Sequence, residues 1–209
     1  MSKKLKILLF WGGFLFLIIL GLYLFIHIAF DGIFTGPFYT KEDLIKNYEL
    51  KESEILEVKN YFESILPENA IVHIEFNNND ELGIFHVKTN RPYENNWNLK
   101  IKSAKTDSLL NDLGWTRKEL KILKTKLGNA NCISISSRKP ITIGWQRSGM
   151  GMFFYKIFEN NLPDSLISEY NDGCTYIFYR DNVVLEYGGG AIGPQCFPGY
   201  ERKGNNAGR

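Results

Sequence analysis

Residues 7–30 contain no formally charged side chain, and they follow a short start, residues 1–6, that carries Lys3, Lys4 and Lys6. A helix of 24 residues reaches roughly 36 Å at ~1.5 Å per residue, more than the ~30 Å hydrocarbon thickness of a bilayer. The pattern therefore predicts a transmembrane signal anchor over residues 7–30, with the lipid bilayer as its first partner. A cleaved secretory signal has a shorter apolar region and a small-x-small cleavage site. Here His27, Phe30 and Phe34 stand two positions before Ala29, Gly32 and Gly36, and the first cysteine able to take a lipid is Cys132.

Three lysines precede the span, whereas the other side begins with Asp31 and reaches its first basic residue at Lys41. The positive-inside rule then puts residues 1–6 in the cytoplasm and the rest outside the cell membrane, in the periplasm of a Gram-negative cell. His27, near the outer end of the span, reads as an interfacial side chain.

The anchor explains the charge balance. The whole chain has 25 Lys and Arg against 23 Asp and Glu; without the three lysines, 22 basic residues face 23 acidic ones, a net of about −1 for residues 31–209. A neutral domain lacks the concentrated basic patch that phosphate backbones require, so nucleic acid is not an expected partner. Arg117, Lys118, Lys121, Lys124 and Lys126 fall on one short helix and read as a solvated face.

Residues 31–39, rich in Gly, Pro and aromatics, read as a juxtamembrane linker, and residues 40–200 as a single extracytoplasmic domain. Thr40 with Asp43 resembles an N-cap with an acidic first turn. Apolar residues then recur at helical spacing to Leu66, with a break near Leu50. Period-two alternation predicts strands over 70–76 and 82–88 around the loop Asn77 to Asp80, and a third over 97–102. Thr116 with Glu119 forms a capping box ahead of the Leu120, Leu123 and Leu127 stripe. Further strands are expected at 131–136, 141–147, 152–158, 174–180 and 183–187, interrupted by a helical turn at 163–170. Helix, strands, helix, strands without regular alternation predicts an α+β domain with a mostly antiparallel sheet and two main helices. Residues 201–209 read as a flexible tail.

The hairpin suggests a geometric idea. If Phe76 pairs with Gly83, His73 faces His86 across the two strands with Glu75 nearby. Two imidazoles so placed are weak candidates for a metal, which wants a third ligand. Of the three cysteines, Cys132 alternates with Ser134 and Ser136 inside a strand, Cys174 begins a strand, and Cys196 lies in a Gly/Pro loop. Cys174 with Cys196 is the preferred disulfide on the oxidising side of a membrane.

Gly188 to Gly193 matches G-x-G-x-x-G, but Pro194 and Pro198 forbid the helix that a dinucleotide site needs, and the chain ends 16 residues after Gly193. Ser148 lacks the flanking glycines of a nucleophile elbow. What remains is a ligand or partner region around Arg147, Gly149, Gly151, Gly188, Gly190 and Gly193, beside an aromatic set that includes Phe153, Phe154, Tyr155, Phe158, Tyr176, Phe178 and Tyr179. No cofactor is implied. The function expected is a single-pass anchored protein whose outer domain binds a ligand or supports a membrane-protein complex. The alternative is an anchored hydrolase or thiol enzyme.

Overall fold

A computed structural model describes residues 3–30, 38–90, 92–148, 151–189 and 193–200. It divides into two units, residues 1–38 and 39–209. The first contains α1 (Lys3–Phe30), whose described side chains are Lys4 and residues 11–25, all exposed. Among the described residues no helix is long and apolar enough to cross a membrane. The ends of the span expected over 7–30, most of the basic start, most of the linker and the tail 201–209 lie outside the residues described to side-chain level.

The second unit is α+β, with one eight-stranded antiparallel sheet and few helices. Helix α2 (Lys41–Ile65) starts at Thr40, where a reciprocal cap forms: the Asp43 N–H donates to Thr40 Oγ1 (3.2 Å) and the Thr40 N–H to Asp43 Oδ2 (2.9 Å). It kinks at Lys51 (φ −130°, ψ 17°), which resets the apolar stripe from Leu44 and Tyr48 to Ile55, Val58 and Phe62, all buried. The domain begins one residue before the expected Thr40, because Tyr39 stacks on Trp145 (4.7 Å between rings) and donates its N–H to Ser148 Oγ (3.1 Å).

The strands are β1 (Ile71–Phe76), β2 (Glu81–Lys88), β3 (Trp97–Lys100), β4 (Ser134–Ser136), β5 (Ile141–Ser148), β6 (Gly151–Ile157), β7 (Tyr176–Arg180) and β8 (Val183–Gly188). Their order in the sheet is β3-β2-β1-β4-β5-β6-β8-β7. Two helices separate β3 from β4: α3 (Ala104–Asp112) and α4 (Arg117–Asn129), the latter opening on the Thr116–Glu119 capping box. A short α5 (Asp164–Glu169) lies between β6 and β7. Helix α3 is an addition to the two main helices expected; Ser103 caps it, and Leu109 and Leu110 bury its inner side.

Strand bounds differ from the sequence expectation in instructive ways. Asn131 takes a positive φ (55°), and the Cys132 N–H donates to the Leu127 carbonyl (2.8 Å), so 131–133 closes off α4 and leaves β4 only three residues. Cys132 therefore precedes the strand. Cys174 also lies outside its strand, held in a turn where Asp172 Oδ1 accepts from the N–H groups of Cys174, Thr175 and Tyr176, each at 2.8 Å. With Asn171 accepting from Phe178 (3.2 Å), that turn occupies N–H groups of the edge strand β7 that would otherwise invite another strand.

One face of the sheet carries Val72, Ile74, Ile135, Ile143, Tyr155 and Leu185, all buried in one cluster with α2 and α4. Inside it, the Tyr155 hydroxyl donates to the Leu44 carbonyl (2.9 Å) and accepts from Asn47 Nδ2 (3.0 Å), while Trp115 Nε1–H donates to the Ile65 carbonyl (2.6 Å). These bonds tie α2 to the sheet and to the connection between α3 and α4. Burial pushes the Tyr155 phenol far above its usual pKa, so it stays protonated and able to donate. Tyr155→Phe is expected to cost about 1.5 kcal/mol, seen as a lower urea midpoint with an unchanged slope, because the Leu44 carbonyl loses this buried donor and Asn47 Nδ2 loses an acceptor.

Candidate functional site

The opposite face of the sheet brings together the polar residues that the sequence singled out. Strands β1 and β2 pair with His73 opposite His86 and Glu75 opposite Ile84; a bulge then sets Phe76 opposite Leu82 rather than Gly83. The expected register thus holds up to Glu75 and shifts by one at Phe76. The two imidazoles meet edge to face at 5.8 Å, and His86 also meets Trp97 (4.8 Å) and Tyr93 (5.9 Å). Its Nε2 is buried and makes no hydrogen bond among the described residues.

Burial first, and then the neighbouring His86, Arg138 and Arg147, lower the His73 pKa to about 4, while burial and Arg138 lower that of His86. Both rings are therefore neutral at pH 7, the form that ligates metals. Glu75, which would be the natural third ligand, is otherwise engaged: its buried carboxylate takes both prongs of the Arg147 guanidinium, Nε to Oε1 at 2.7 Å and Nη2 to Oε2 at 2.8 Å. Among the described residues no three His, Cys, Asp or Glu side chains come together as a metal site.

The His73 shift has a thermodynamic consequence. A base whose folded pKa is depressed binds fewer protons in the native state than in the unfolded one, so stability is full above the unfolded value and falls as the pH drops through it. The domain is expected to lose stability between pH ~6.5, the unperturbed imidazole value, and about 4, with no further His73 contribution below. Thermal melts across that range should flatten in His73→Gln; an unchanged slope would show that another group sets the acid limb.

The glycine connections are built for close backbone approach. Gly188 has φ 140°, and a Cβ there would lie 2.9 Å from the Gln195 nitrogen and 3.0 Å from the Gly193 oxygen. The chain doubles back, with the Gly189 N–H donating to the Gly193 carbonyl (2.9 Å) and Gly188 bridging to Pro194. At Gly151 a Cβ would lie 2.6 Å from the Tyr187 ring, whose hydroxyl donates to the Ser148 carbonyl (2.9 Å). Gly149 and Gly190 lie outside the described residues. A disulfide joins Cys174 to Cys196, and Phe197 packs on Phe153 and Tyr187 with its N–H on the Cys174 carbonyl (2.7 Å). Arg147, Gly151, Gly188 and Gly193 thus surround one end of β5, β6 and β8, where the aromatics pack against one another.

The cysteines that a thiol enzyme would draw on are bonded or buried in this arrangement. Cys196 is bonded to Cys174, and Cys132 is buried, with desolvation pushing its thiol pKa well up and away from the thiolate. The basic face of α4 is tied down in part: Arg117 grips Asp107 with two bonds of 2.8 Å, Lys126 pairs with Glu57, and Lys124 donates to the Asn78 carbonyl and to Asn79 Oδ1 (2.7 Å each).

A site that the sequence reading did not name lies at the other end of β5 and β6. There the C-terminal end of α2, the segment 137–141 and the segment 157–170 enclose a cleft of about 650 Å³. Leu66, Ile141, Ile157, Leu162 and Leu166 give it an apolar lining, and Glu63, Glu159, Glu169 and Lys139 are its charged groups. Its outer wall is anchored, since Leu162 donates its N–H to the Asp181 carbonyl (2.9 Å), Phe158 to the Asn182 carbonyl (2.9 Å), and Asn182 Nδ2 back to the Phe158 carbonyl (2.7 Å). Of the sequence-predicted aromatic set only Phe158 reaches this cleft.

Comparison with protein-family models, with curated proteins and with solved structures gives no match.

Proposed function

We propose that this chain is a single-pass membrane protein, anchored through residues 7–30 with its amino terminus in the cytoplasm, whose extracytoplasmic domain works by binding a ligand. The observation that carries the binding reading is the 650 Å³ cleft, within the ~300–1,000 Å³ range of small-molecule sites, apolar with a few polar groups and walled by a fastened loop. Support for the anchor comes from the helix over Lys3–Phe30, the uncharged residues 7–30 within it and the lysines at its start. The Cys174–Cys196 bridge suits an oxidising compartment.

The alternative of an anchored thiol enzyme finds less support, because one cysteine pair is spent on the bridge and the remaining thiol is buried. A fragment screen by ligand-observed NMR on the full chain in a neutral detergent tests the cleft. Fragments are expected to bind the parent and to lose binding in Leu166→Trp, whose indole ring obstructs the cleft. Hits that bind this variant as well as the parent would contradict the reading.

A further inference from the structure

Resting on the reading of this cleft as a ligand site, we infer that its ligand is a lipophilic organic cation: a protonated or quaternary amine on a hydrocarbon or aromatic body. The charge on the walls is one-sided. Three carboxylates, Glu63, Glu159 and Glu169, line the cleft with a single ammonium, Lys139. Lys139 is already bound to Glu159 at 2.7 Å, and Glu63 to Lys59 at 2.8 Å. Glu169 makes no ion pair among the described residues, so one wall keeps an uncompensated negative charge.

Beside Glu169 stands an aromatic corner. Phe158 and Tyr170, which both line the cleft, meet at 5.1 Å and 77°, while Tyr176, outside the lining and already faced by Lys156, only backs Tyr170 at 5.3 Å. Ring faces attract a cation within about 6 Å, and most strongly where water is partly excluded. The negative field of Glu169 is felt in this corner, since it joins burial in raising the Tyr170 pKa. Leu66, Ile157, Leu162 and Leu166 supply the apolar remainder, which an inorganic cation or a hydrophilic amine would leave unfilled. An anionic amphiphile of the same shape would meet the carboxylates at close range and pay for desolvating its own charge.

The test uses three probes of one shape: 4-phenylbutylamine (cation), 4-phenylbutanol (neutral) and 4-phenylbutyrate (anion). Each is titrated by calorimetry or NMR into the full chain in dodecylmaltoside at pH 7. The amine is expected to bind at least about tenfold more tightly than the carboxylate, with the alcohol between them. Glu169→Gln should remove most of that preference, weakening the amine more than the alcohol, and Leu166→Trp should abolish all three. Equal binding of amine, alcohol and carboxylate, all lost in Leu166→Trp, would overturn the cation inference and leave the cleft as a ligand site. A charge preference that survives Glu169→Gln would also overturn it. Binding of none of the three would overturn the inference and count against the cleft itself.

Discussion

Arg147→Met is expected to destabilise the domain of residues 39–209 by about 3 kcal/mol, the lower end of what breaking a buried ion pair costs. The two partners are not equivalent: the Glu75 side chain is 4 % exposed and that of Arg147 44 %. Removing the guanidinium strands a carboxylate in the sheet interior with its main donors gone, whereas removing the carboxylate leaves a guanidinium that reaches water. Glu75→Gln should therefore cost only about 1 kcal/mol, since the amide still accepts from Arg147. The double replacement Glu75→Leu with Arg147→Met should recover most of the loss, because an apolar pair needs no partner. Urea unfolding of the four proteins measures this; an Arg147→Met cost no larger than that of Glu75→Gln would show that the pair is solvated. The effect would also reach across the sheet, because Arg147 contributes to the lowered pKa of His73.

Replacing Cys174 and Cys196 together by serine is expected to cost about 3 kcal/mol, because a cross-link over 22 positions removes that much chain entropy from the unfolded state. The loss should be local before it is global. The segment from Pro194 to Phe197 returns beside β8 through few bonds, chiefly Gly188 to Pro194 and Phe197 to the Cys174 carbonyl. Hydrogen exchange of the serine variant should show lost protection at Gly189, at Gln195 and Phe197, and at Thr175 to Phe178, while α2 and β1 keep theirs up to the lower global limit. Uniform loss would mean that the bridge is not confined to pinning this segment. Equal stability of the oxidised parent and the serine variant would mean that the loop closes without it.

The residues explain which parts of this structure were legible beforehand. Caps are local, so Thr40 with Asp43 and Thr116 with Glu119 mark their helices from three residues' separation. The β1–β2 hairpin is similarly legible, because a period-two pattern around a short polar loop leaves few registers that bury Val72, Ile74, Phe85 and Val87 together. The bulge at Phe76 was not, since one extra residue leaves no compositional mark. Helix α3 is too short to be legible: nine residues with paired leucines show no full stripe, and only Ser103 as a cap announces it.

Function was the least legible part, for a physical reason. Glu75 and Arg147 meet from 72 positions apart, and the cleft joins Glu63 on α2 and Leu66 just after it to Pro140 and to Leu162 and Leu166 around α5. No periodicity connects such residues; only the antiparallel order β4-β5-β6 puts the ends of their elements side by side. Gly188, Gly189 and Gly193 stand out in the sequence, at the other end of these strands. There they allow the chain to turn back against β8, a requirement of the backbone rather than of a ligand.

We propose that the uncharged amino-terminal helix holds the domain of residues 39–209 outside the cell membrane. Protease protection in sealed membrane vesicles of known orientation, made from cells expressing the full chain, tests it most directly. The domain should be digested in right-side-out vesicles and protected in inverted ones, with the chain remaining in the membrane pellet after alkaline carbonate. Protection in right-side-out vesicles, or release of the intact chain by carbonate, would contradict it.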